Sequence, residues 1–105
     1  MAGNLTIRRA KEESNNVLFL EGRLETTTSV KLQSEAESLF SSESEGDIIL
    51  DISDVSYISS AGLRVILAIE KKCRAQGRRH HIRGTSETIR EIFDMTGFSG
   101  MLNLI

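Results

Sequence analysis

The stretch Gly46–Gln76, GDIILDISDVSYISSAGLRVILAIEKKCRAQ, constrains the fold most. It reads as strand, connector, helix. Ile48-Ile49-Leu50 is an unbroken apolar run, the pattern of a strand covered on both faces. Asp51 to Ile58 reads as a connector with an apolar filling of Val55, Tyr57 and Ile58. Ser59 and Ser60 then precede a long segment whose apolar residues recur at helical spacing. A serine hydroxyl accepts a hydrogen bond from an unpaired first-turn N–H, so both serines are candidate caps. They also sit where the positive end of a helix welcomes an anion. Leu63, Ile66, Leu67, Ile69 and Cys73 fall on the inward side of this helix, and Arg64, Lys71, Lys72 and Arg74 on the outward side. Gly77 is placed to end it.

One strand and one helix make no core, and the flanking sequence supplies the rest. Leu5–Arg9 and Val17–Arg23 alternate as strands do, with a hairpin loop expected over Lys11–Asn16. Leu32, Ala36, Leu39 and Phe40 predict a first helix over Ser29–Phe40, after the hydroxyl-rich run Glu25–Ser29. Ser41–Gly46 is a polar, acidic loop. Arg79–Arg83 is expected to be a fourth strand. Thr85 or Ser86 caps a third helix with Ile89, Ile92 and Phe93 inside and Gly97 at its end. Met101–Ile105 reads as a last strand. The order β-β-α-β-α-β-α-β predicts an α/β fold: a mixed sheet with helices packed on it. With no repeat and no linker, residues 1–105 are expected to form a single domain.

A net charge of −2 gives no global field for nucleic acid or an anionic membrane. No apolar run is long enough to span a bilayer and no leader pattern opens the chain, so a cytoplasmic protein is expected. Cys73, the one cysteine, excludes an internal disulfide and reads as a small buried residue of the second helix.

Three motifs together carry a family resemblance. Tyr57-Ile58-Ser59-Ser60-Ala61-Gly62-Leu63, within Asp51–Leu67, resembles the signature of the STAS domain, and of the bacterial anti-sigma factor antagonists in particular. Glu21-Gly22-Arg23-Leu24-Glu25 resembles the family's turn after its second strand, and Phe93-Asp94-Met95-Thr96-Gly97-Phe98 its third-helix ending. The resemblance implies the STAS fold and a switch. Ser60 aligns with the serine that a partner kinase phosphorylates. In the unphosphorylated state such a protein binds an anti-sigma factor that is also a serine kinase of histidine-kinase-like ATPase fold, freeing a sigma factor or another client. A metal-dependent serine phosphatase reverses the modification. ATP and metal belong to those partners, so no cofactor is expected on this chain.

The resemblance places the partner surface on Glu25, Thr26, Thr27, Ser59, Ser60, Ala61, Gly62, Leu63 and Arg64. The sequence departs from the family where Ser59 replaces the usual Asp before the acceptor, Glu25 replaces an Asp of the earlier turn, and Ala61 stands where a second Ser or Thr is common. Ser59 is thereby a competing acceptor. Capping and phosphate acceptance are compatible roles for these serines.

Other chemistry is poorly supported. Arg78-Arg79-His80-His81 with Arg83 is a basic cluster without interleaved aromatics, weak for nucleic acid and more in keeping with an exposed or edge strand, or a partner or dimer surface. Adjacent histidines on a strand point to opposite faces and do not grip one metal. No Gly-x-Ser-x-Gly elbow or Walker loop is present, which argues against intrinsic catalysis. Two rival functions fit the same resemblance: a static STAS subunit of a lipid-type ABC transport complex, and a ligand-sensing STAS module.

Overall fold

The computed structural model describes residues 4–43 and 45–105. Strands β1 (Leu5–Glu12) and β2 (Asn15–Leu24) form an antiparallel hairpin. Then follow α1 (Thr26–Ser42), β3 (Ile48–Ile58), α2 (Ser60–Ala75), β4 (His80–Arg83), α3 (Glu87–Thr96) and a short 3-10 turn at Phe98–Gly100. The sheet order is β1-β2-β3-β4, with β2, β3 and β4 mutually parallel. The mixed sheet and alternating order are those expected from the sequence. Both crossovers, through α1 and through α2, step the same way along the sheet. Right-handed connections therefore lay both helices on one face. The result is two layers, 33 × 31 × 21 Å overall.

Four local expectations change. The hairpin loop shrinks to Glu13-Ser14, with Glu13 at φ 59°, because β1 and β2 stay paired from Leu5↔Gly22 to Glu12↔Asn15. The first helix starts earlier and ends later than Ser29–Phe40. Asp51–Ile58 is no connector but the second half of β3. Its buried residues Ile52, Val55 and Ile58 are spaced by three, which hides the strand period. The register gives the cause: Phe19/Glu21 and Gly22/Arg23 on β2 face Asp51/Asp54 and Val55/Tyr57 on β3, so β3 carries an extra residue twice. Finally, Met101–Ile105 makes only a single bridge, Leu104 to Ile82, because the 3-10 turn and Met101 consume the length a strand needs.

The core lies between sheet and helices. Leu18, Leu20, Leu24, Leu50 and Ile52 from the sheet meet Leu32, Leu39, Ile66, Ile69, Cys73, Ile89 and Phe93 from the helices, all buried. Burial also holds the Cys73 thiol up at about 11, so it stays protonated and inert at neutral pH. The opposite sheet face carries paired charges. Arg83 donates to Asp51 at 3.0 Å and to Glu12 at 2.8 Å, and its guanidinium and that of Arg8 lie 5.6 and 4.3 Å from the Phe19 ring centre. Burial pushes the Asp51 carboxyl up, but bonds from Ser53 and Arg83 outweigh it and hold the group below its usual range.

The basic cluster is mostly structural. β4 is an edge of the strand ladder, as anticipated, but Arg78 is 9% exposed and clamps two loops together. It donates to the carbonyls of Gly46 (2.8 Å), Glu43 (2.9 Å) and Glu45 (3.1 Å), and to Gln76 Oε1 (3.1 Å). His80 faces the helices, with Nδ1 2.9 Å from Glu70 Oε1, whereas Nε2 of His81 lies 3.0 Å from Asp47 on the other face. Arg78 and His80 are therefore unavailable as a partner surface.

His80 gives a pH prediction. Burial lowers its pKa despite Glu70, so the folded state holds it neutral where the unfolded chain begins to protonate. Its contribution is fully present above the unfolded value, about 6.5, and is lost as pH falls through the lower folded value. The urea midpoint should decline from pH 7 to pH 5.5, and His80→Gln, which keeps a donor for Glu70, should flatten that slope. An equal slope in the variant would assign it to another group.

Candidate functional site

Parallel pairing of β2 and β3 brings two helix starts together. Leu24 pairs with Ile58 at the carboxyl ends of both strands, and the Ser59 N–H donates to the Leu24 carbonyl at 2.8 Å. Each chain then turns into a helix: Glu25 is the cap residue of α1 and Ser59 that of α2. Glu25–Thr27 and Ser59–Ser60, far apart in sequence, thus share one edge of the sheet. Two helix N-termini therefore open at the same edge, and their partial positive charges add.

The two serines divide their roles. Ser59 Oγ accepts from the Gly62 N–H at 3.2 Å, and the Ser59 carbonyl receives Leu63 N–H at 2.9 Å. Ser60 is the first residue of α2 and is exposed, and among the described residues no side-chain hydrogen bond uses its hydroxyl. One serine caps while its neighbour presents a free nucleophile. Ser59→Ala should cost about 1 kcal/mol of stability in urea unfolding, the usual worth of a serine cap. It should leave Ser60 as a phosphate acceptor. A loss of phosphorylation in Ser59→Ala with native stability would reverse the assignment.

Gly62 lets α2 start close to the sheet. A Cβ there would stand 2.7 Å from Leu24 Cγ and 3.0 Å from the Leu24 carbonyl oxygen, so any side chain pushes the serines away from β2. Leu63, expected among the partner-binding residues, is 5% exposed and packs into the core, and Gly62 is buried with it. Helix geometry turns both inward. Thr26, Thr27, Ser60 and Arg64 are exposed, and Glu25, Ser59 and Ala61 partly so. On α1, the Glu25 N–H donates to Thr28 Oγ1 at 2.8 Å, and Thr28 in turn donates to the Arg23 carbonyl at 2.7 Å.

Two residues outside the anticipated set complete the rim. Tyr57, read from sequence as apolar filling, is 39% exposed with the Arg23 guanidinium 4.5 Å from its ring centre. Arg23 also pairs with Glu25 at 3.4 Å. The β3 bulges cause this: the extra residues rotate Tyr57 outward beside Arg23 while Val55 and Ile58 stay buried. Sequence spacing alone does not reveal a bulge.

Among the described residues no group of three His, Cys, Asp or Glu side chains is arranged to hold a metal. No helix among them is long and apolar enough to cross a membrane. The Ser60 hydroxyl is thus exposed at paired helix starts, beside a serine that caps α2.

The STAS domain family matches residues 7–105. The chain belongs to the STAS domain family. The anti-sigma-B factor antagonist of Listeria monocytogenes is 25% identical over 103 residues, 96% of this STAS domain and 89% of the relative. The fold is shared with solved structures. An anti-sigma factor antagonist from Mycobacterium paratuberculosis superposes with a TM-score of 0.87 at 18% identity, over 96% of this chain and 85% of its own. The Bacillus cell fate determinant SpoIIAA in its phosphorylated form does so with a TM-score of 0.72 at 18% identity, over 95% and 91%.

Proposed function

We propose that this STAS domain is an anti-sigma factor antagonist switched by phosphorylation of Ser60. The observation that carries the reading is the exposed, unbonded Ser60 hydroxyl at the start of α2, in a domain whose relatives are named anti-sigma factor antagonists. Unphosphorylated, the protein binds an anti-sigma factor that is also a serine kinase of histidine-kinase-like ATPase fold, and so releases a sigma factor or another client. In the kinase the Ser60 hydroxyl gives its proton to a kinase base, its oxygen bonds to the γ-phosphorus of ATP, and ADP leaves. A metal-dependent serine phosphatase hydrolyses the phosphoserine with water, which restores the hydroxyl and releases inorganic phosphate. The chain itself is not an enzyme, and the exchange takes place in the cytoplasm.

The test is incubation with the candidate kinase and ATP, followed by mapping the phosphate by mass spectrometry in the wild type, Ser60→Ala and Ser59→Ala. Phosphate on Ser60, lost only in Ser60→Ala, supports the switch. No phosphate, under conditions in which the kinase modifies an established substrate, overturns it in favour of a static STAS subunit of a transport complex or a ligand-sensing module.

A further inference from the structure

A switch at Ser60 needs more contact than Ser60 provides. Specific interfaces bury about 800 Å² on each partner, far more than one serine and two helix caps present. Two broad surfaces run away from the site. On the helix-free sheet face several charges are already matched: Arg83 to Glu12 and Asp51, His81 to Asp47, and Arg8 over Phe19. A partner there would have to break those pairs. That face also holds a depression of about 330 Å³, but Arg8, Glu21, Asp51 and Asp54 line it, whereas the helix face carries an open groove of about 390 Å³ between α1 and α2. Ala36, Phe40, Val65 and Ala68 give it an apolar lining, and Lys72 stands at its far part.

The groove is continuous with the Ser60 site. On α1, Thr26, Val30, Gln33 and Glu37 follow one another at helical spacing, and the last two line the groove. Val30, 63% exposed, fills the step between the exposed threonines of the cap and the groove. On α2, Ala61, Val65, Ala68 and Lys72 make the matching row, beginning one residue after Ser60. A surface that starts at the acceptor serine and becomes apolar within a turn has the layout of an interface: a chemical site at one end and water-excluding contact beyond it.

We infer that the kinase that modifies Ser60 seats apolar side chains in the α1–α2 groove, with an acidic group toward Lys72, and that this groove supplies most of its affinity. The inference rests on the phosphorylation-switch reading above. Affinity and chemistry are then separable along the surface. The groove offers the same contacts in either state of Ser60, and the phosphate at the groove's head opposes them and sets whether the complex persists.

The test uses the candidate kinase with ATP on the wild type, on Ala68→Glu in the groove and on Glu21→Gln on the sheet face. Ala68 is exposed and glutamate is a good helix former, so the fold should be kept, as circular dichroism and a thermal melt would verify. Ala68→Glu is expected to raise Kd and KM by about tenfold or more with kcat within about twofold, while Glu21→Gln changes neither. Unchanged Kd in Ala68→Glu, with wild-type phosphorylation intact, overturns the groove and leaves the switch standing. Absence of wild-type phosphorylation instead overturns the switch reading itself. Sedimentation of the protein alone supplies the remaining arm: a wild-type dimer dissolved by Ala68→Glu would show that a second copy occupies the groove, and would overturn the inference.

Discussion

Phosphorylation of Ser60 is expected to weaken binding to the anti-sigma partner by about 100- to 1,000-fold while leaving the fold unchanged. Two opposing magnitudes decide this. The phosphate brings nearly two negative charges to the start of α2, where the helix end favours it by about 0.3–1 kcal/mol at an exposed site. The Ser59 cap and the Gly62 contact with Leu24 do not involve the Ser60 hydroxyl, so the backbone has no reason to rearrange. At the interface the same charge is desolvated, and an unpaired buried charge costs several kcal/mol. Each 1.4 kcal/mol is tenfold in affinity, so the interface term exceeds the local gain. Calorimetric titration of the kinase with phosphorylated and unphosphorylated protein measures the ratio, and Ser60→Ala should bind like the unmodified form. Equal affinities, or a large loss of helical circular dichroism on phosphorylation, would refute this account.

Arg78→Ala is expected to lower stability by about 3 kcal/mol, the largest effect anticipated for a single charged residue here. The guanidinium joins the segment leading into β3 to the end of α2 through three backbone carbonyls and Gln76. Removing it strands those acceptors, at about 1–3 kcal/mol for each one left buried and unsatisfied, with water able to relieve part of the loss. Arg78→Lys should recover little, because one ammonium cannot reproduce the planar fork that reaches Gly46, Glu43 and Glu45 together. Urea unfolding gives the number. A loss below about 0.5 kcal/mol, the usual range for a surface substitution, would show the clamp to be incidental.

Arg78 also shows where sequence reading fails. Four basic residues in a row look like a surface patch, because charge is ordinarily solvated. Only the three-dimensional closeness of Glu43, Glu45 and Gly46 to the end of α2 supplies carbonyls enough to bury one of them. The second half of β3 is a similar case. Its apolar residues follow the period of neither strand nor helix, since each bulge shifts the phase. Leu63 errs the other way: it sits inside the recognisable motif, yet its role is packing.

Local patterns of residues determined the element order, the cap chemistry at Ser59-Ser60 and the inward faces of the helices. Those features depend on neighbours within a turn or two, and the sequence carries them directly. Tertiary structure decided which serine is free, which charges are buried and what lies beside the site. Ser59 is fixed through Leu24, Arg78 through Gly46, and the Ser60 edge through the pairing of Leu24 with Ile58. Each of these joins residues distant in sequence, and hydrogen bonds and burial between them exist only once the parallel strands have set their register.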